Sequence, residues 1–69
     1  MHRSLVVIEK APDNYSAYSP DLPGCVATGR TREEAERRMR EAIRLHLDGL
    51  LEDGLAVPEA HSSAEYMAV

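Results

Sequence analysis

Thr31-Arg32-Glu33-Glu34-Ala35-Glu36-Arg37-Arg38-Met39-Arg40-Glu41-Ala42-Ile43-Arg44-Leu45-His46-Leu47-Asp48-Gly49-Leu50-Leu51-Glu52-Asp53-Gly54 is the stretch that organises this chain. Its first residues have the spacing of a capping box. The Thr31 hydroxyl is placed to accept from the Glu34 amide, and the Glu34 carboxylate to reach back to the Thr31 amide. Ala35, Met39, Ala42, Ile43, His46, Leu47 and Leu50 then recur in steps of three and four, which draws one apolar stripe along a helix. Gly54 suits the left-handed residue just past a helix end, and Pro58 follows as a stop. The spacing predicts a helix over about 32–53, roughly 30 Å long at 1.5 Å per residue. In so short a chain every strand must be laid out against this rod.

Upstream, Leu5-Val6-Val7-Ile8 is an aliphatic run too short for a helix, and it centres a first strand over about 3–10. Ala11-Pro12-Asp13-Asn14 is turn chemistry. Tyr15 and Ala17 alternate with Ser16 and Tyr18, the period of a second strand over about 15–19 that forms a hairpin with the first. Pro23-Gly24 fits the centre of a type II turn, and Cys25 opens a third strand over about 25–28. After the helix, 56–63 reads as a loop. The segment Ala64-Glu65-Tyr66-Met67-Ala68-Val69 fits either a fourth strand over 64–68 or a frayed tail. The expected fold is α+β with order β-β-β-α-β: an antiparallel meander, one long helix on one face, and a fourth strand parallel to the first through a right-handed crossover. The expected sheet order is then 3-2-1-4, in a single domain over 1–69.

Composition narrows the function. At 69 residues the chain sits near the lower limit for a self-sufficient core. Cys25 is the only cysteine, so no internal disulfide is available, and a lone thiol fits a reducing, cytoplasmic setting. No apolar run reaches membrane-spanning length, and the start lacks a signal-peptide core. Association into a homodimer or higher oligomer is therefore the expected source of further burial. A formal net charge of −4 speaks against a general nucleic-acid binder.

The pieces Tyr15-Ser16-Ala17-Tyr18, Pro20-Asp21-Leu22-Pro23-Gly24-Cys25, Thr28-Gly29, Thr31, Glu34-Ala35 and Glu41-Ala42-Ile43 together resemble the HicB-type antitoxins. The match spans about half the chain in the family's order and spacing. The resemblance implies a partial ribonuclease H-like fold. It also implies a type II toxin–antitoxin role: covering the active surface of a HicA-type mRNA-cleaving toxin, as a binding protein and not an enzyme. Many relatives carry a further C-terminal DNA-binding module. This sequence has no matching stretch, so direct DNA binding by this chain is not expected. Two rival readings stand beside the antitoxin one. The first is an orphan oligomeric or regulatory module of the same fold without a toxin. The second is a nuclease remnant.

Tyr18, Asp21, Leu22, Pro23 and Gly24 are the candidate toxin contacts, with Leu22 as the apolar anchor if the turn exposes it. The plainer reading of the same turn is a tight link between strands. Leu45 and Leu51 flank the stripe and, with Tyr66, form the candidate oligomer surface. Catalysis is not expected. Ribonuclease H chemistry needs gathered carboxylates, whereas Glu9, Asp13, Asp21 and Glu41 are scattered. His2, His46, His61 and Cys25 show no ligand spacing, so neither metal nor cofactor is expected. His46 reads as a core or interface histidine and Cys25 as a small buried thiol. Arg37, Arg40 and Arg44 read as a solvated face supported by Glu33–Arg37 and Glu36–Arg40 pairs.

Overall fold

The computed structural model describes residues 2–69. Strands β1 (Val7–Lys10), β2 (Tyr15–Tyr18) and β3 (Val26–Gly29) form an antiparallel meander in the order β1-β2-β3. Helix α1 (Arg32–Glu52) lies on one face. The β1–β2 link closes with the Ala11 amide donating to the Asn14 carbonyl at 2.8 Å. Pairing runs from Val7↔Tyr18 to Lys10↔Tyr15 and from Tyr15↔Gly29 to Tyr18↔Val26.

β1 is shorter than the 3–10 expected, because its partner stops. Beyond Tyr18 the chain bends into a turn in which the Leu22 amide donates to Ser19 and the Cys25 amide to Leu22. Pro20 has no amide to give. Cys25 is consumed in the same turn, so β3 begins one residue later than expected.

The helix start follows the capping logic with one change. Thr31 is extended (φ −123°, ψ 163°) and its hydroxyl accepts from the Glu34 amide at 3.1 Å. The Glu34 carboxylate, however, accepts from the Arg30 amide at 3.1 Å and not from Thr31. That bond, outweighing some desolvation and helped by Arg38, Arg37 and Arg30, holds the Glu34 carboxyl below its ordinary range. At the other end Gly54 takes φ +69°, its amide donates to Leu51 and that of Leu55 to Leu50 at 2.9 Å, a Schellman closure. The supporting ion pairs are Arg32–Glu36 at 3.0 Å and Glu34–Arg38 at 3.5 Å. Glu36 thus turns toward the helix start and not to Arg40 as expected, and both pairs are exposed enough to contribute little.

The core is small. Ala17, Leu22, Cys25 and Met39 form its buried cluster, with Val6, Ile8, Ala27, Ala42, Ile43 and Leu47 packed partly against it. Burial pushes the Cys25 thiol up. α1 sits chiefly over β3, less over β2 and least over β1. Gly29 explains the lean. A Cβ built there would stand 2.5 Å from the Ala35 amide nitrogen, so only glycine lets the first helical turn rest on the strand.

The fourth strand is not formed, and the sheet ends at β1 where 3-2-1-4 was expected. Residues 55–69 carry no strand pairing. The segment does approach β1. Ala64, Glu65 and Tyr66 stand across a cleft of about 330 Å³ from Val6, Val7 and Ile8. A ladder needs strands about 4.8 Å apart, and the cleft keeps them from it.

Candidate docking surfaces

The β2–β3 turn is an inward-folded loop, and this decides what its residues can do. Gly24 supplies the positive φ (+81°) that the turn requires. Leu22 is 1 % exposed and belongs to the core cluster with Met39. It is therefore not the exposed anchor anticipated for it. The physical reason lies across the sheet, where the small side chains of Ala17 and Ala27 leave space that a large side chain must fill. Complete burial of a leucine contributes about 1.5–3 kcal/mol.

Asp21 is half-buried and engaged within the chain. Its carboxylate accepts from the Ser62 amide at 3.1 Å and from the Ser62 hydroxyl at 3.0 Å. Partial desolvation alone would raise its pKa, but the Ser62 bonds outweigh that and hold it below the ordinary aspartate range. Asp21 thus clamps the segment after the helix onto the turn. Of the five candidate contacts, Tyr18, Pro23 and Gly24 remain at the surface.

Strand register adds two residues that the sequence reading did not single out. Val7, Tyr18 and Val26 pair in one row across all three strands. The row lies on the face away from the helix, because Ile8, Ala17 and Ala27 alternate toward it. Val26 is 65 % exposed and Tyr18 is also exposed. The signal was present as period-two alternation, but only the pairing shows that three apolar residues on three strands line up. The row runs beside Pro20, Pro23 and Gly24, forming an aromatic–aliphatic strip bordered by a rigid turn.

On the helix side a second surface opens. Because α1 leans toward β3, β1 is left partly uncovered. A groove of about 600 Å³ runs between them, with Val6, Ile8, Met39, Ile43, Leu47 and Leu51 as its apolar lining. Glu36, Arg40, Arg44 and Asp48 form its charged margin. Arg40 and Arg44 therefore border the groove and do not lie on a face opposite the stripe. Leu51 borders it too, whereas Leu45 points from the other flank of the helix, about 120° away at 100° per residue. Tyr66 is exposed, beside the cleft that Val6, Val7, Ile8 and Arg32 line. His46 is half-buried.

The carboxylates do not converge. Glu9, Asp13 and Glu41 are exposed at separate places, and Asp21 is held by Ser62. Among the described residues no group of three or more His, Cys, Asp or Glu side chains is placed to hold a metal ion. No described helix is long and apolar enough to cross a membrane. The two surfaces offer shape and apolar area for binding.

Comparison with known proteins agrees with this architecture. A chain of the solved HicA3 and HicB3 toxin-antitoxin complex superposes with a TM-score of 0.62 at 26% identity, over 78% of this chain and 66% of that one. An uncharacterised 14.9 kDa protein of Haemophilus phage HP1 is 39% identical over 62 residues, covering 90% of this chain and 47% of the relative. A UPF0150 protein of Helicobacter pylori is 50% identical over 50 residues, covering 72% of this chain and 69% of that protein. The chain thus spans about half the length of the phage relative. The family model described as HicB_like antitoxin of bacterial toxin-antitoxin system matches residues 5–69, and this chain belongs to that family.

Proposed function

We propose that this chain acts by binding, as the antitoxin of a pair: it covers the active surface of a HicA-type toxin and keeps RNA out. The single observation that carries the reading is the fold match to a chain of a HicA–HicB complex at 26% identity. The docking surface in this proposal is the row Val7, Tyr18, Val26 with the neighbouring Pro23 and Gly24. Interface anchors are characteristically aromatic and centrally placed, and Tyr18 is both. Asp21 and Leu22 act behind the surface, Leu22 by pinning the turn from inside and Asp21 by tying it to Ser62.

Co-expression with a HicA-type toxin tests the reading. The expected result is restored growth and co-purification of the two chains, both lost with Tyr18→Asp or Val26→Asp while circular dichroism stays unchanged. Failure of the unaltered chain to bind or rescue removes the antitoxin assignment and leaves the fold standing.

A further inference from the structure

The register that aligns Val7, Tyr18 and Val26 also aligns the residues two places along. Glu9 pairs with Ser16, and Ser16 with Thr28. Period two puts this second row on the same face, away from the helix, about 7 Å from the first. The face thus carries six strand side chains in two rows: a tyrosine between two valines, and a carboxylate beside two hydroxyls. Glu9 is the only charged one of the six. Lys10, the other charged residue of the three strands, alternates to the helix side.

Glu9 is not spent within the chain. It is exposed, and among the described residues it takes part in neither ion pair, both of which lie along the helix. The strand at the far side of the row is held from behind, because the Arg38 guanidinium donates to the Thr28 carbonyl at 3.3 Å and leaves the Thr28 side chain exposed. Area then decides what docking does to Glu9. A partner in a stable complex covers roughly 800 Å² of this chain, a patch about 16 Å in radius. Glu9 is diagonal to Tyr18 on the neighbouring strand, about 8 Å away. A partner seated on Tyr18 therefore covers Glu9 as well. A carboxylate taken out of water with no counter-charge opposes binding, whereas the same carboxylate against a cation selects the surface that carries it. A surface that grips RNA carries such cations, because phosphates are what it holds.

We propose that Glu9, flanked by the Ser16 and Thr28 hydroxyls, is the charge-selecting half of the docking face: it meets a lysine or arginine with which an RNA-cleaving partner holds its substrate's phosphates. This inference rests on the antitoxin reading and adds to it the chemistry of the surface that is covered. The apolar row supplies contact area to any apolar neighbour. Glu9 decides which face of the partner is accepted, since a neutral or acidic face would leave its carboxylate covered and unpaired.

Calorimetric titration of the full chain with a HicA-type toxin, repeated at several salt concentrations, tests it. Glu9→Gln should weaken binding at least tenfold and flatten its salt dependence, and Glu9→Lys should weaken it at least a hundredfold. Glu9 is exposed and without an ion pair, so both variants keep the fold, which circular dichroism checks. Exchanging the toxin's RNA-binding lysines and arginines for glutamine, one at a time, closes a double-mutant cycle. At least one exchange should weaken binding to the unaltered chain and hardly change binding to the Glu9→Gln chain. Binding by Glu9→Gln that matches the unaltered chain in strength and salt dependence overturns the proposal and leaves the antitoxin reading standing. So does a Glu9 effect that persists in full against every toxin variant. An unaltered chain that binds no toxin removes both.

Discussion

The two ends of the helix are built on different terms. At the N-terminal end, α1 is capped by Thr31, carries Glu33 and Glu34 where the helix dipole favours acid, and rests on Gly29 with no space between. At the C-terminal end the last turn has no basic residue, and Glu52 and Asp53 face the negative end of the dipole. Leu45, Leu51 and Leu55 stand exposed there. The first end is finished within one chain. The second is tidy at the backbone, through Gly54, but leaves its side chains uncovered. The contrast teaches that the short chain concentrates its packing over β2 and β3 and leaves β1 with the distal helix less covered.

Variants can break or sharpen that contrast. The largest effect should come from Leu22→Ala, which empties the centre of the packed half and should cost about 2–5 kcal/mol in urea unfolding. An effect below 1 kcal/mol would mean that Leu22 does not fill the core as described. Gly29→Ala should cost about 1–3 kcal/mol, because the added Cβ must push α1 off β3. A neutral result would show that the helix does not sit that close. Thr31→Ala should cost about 1 kcal/mol by removing the acceptor for the Glu34 amide, with Thr31→Ser restoring most of it.

Acid should act on the same contrast from the other side. Asp21 and Glu34 both have carboxyls held below their ordinary range in the folded chain. The unfolded chain therefore binds protons first as pH falls. Their contribution is complete only above the ordinary carboxylate range, at about pH 5 and higher, and is lost as pH drops through that range to the lower folded values. Asp21→Asn should release the segment around Ser62 already at neutral pH, read as faster hydrogen exchange over 56–66, while β2 and β3 stay protected. The smallest effect belongs to the open end: Leu51→Ala should change the stability of the isolated protomer by less than about 0.5 kcal/mol.

Much of the architecture was legible in the residues. The helix from its capping box to Gly54, the Pro12-Asp13-Asn14 turn and the sidedness of Tyr15 to Tyr18 all rest on interactions among residues near in sequence. The family likewise rested on motifs that can be read in order. The candidate site was less legible. Leu22 looked like the tip of a turn and is a core residue, because only the folded sheet shows that Ala17 and Ala27 leave a hole above them. Asp21 looked like a contact and is a clamp, because Ser62 is distant along the chain and adjacent in space. Val26 read only as one residue of a strand until register set it beside Tyr18.

Local physics, then, was decided by the sequence alone: caps, turn glycines, periodicity and the centres of the three paired strands depend on neighbours within a few residues. The tertiary structure decided the lean of α1 toward β3, the groove this opens over β1, the lone row on the far face, and the failure of 64–69 to pair. Each of these depends on how volumes and backbone edges meet between segments far apart in the chain. That competition for space has no signature in a linear pattern.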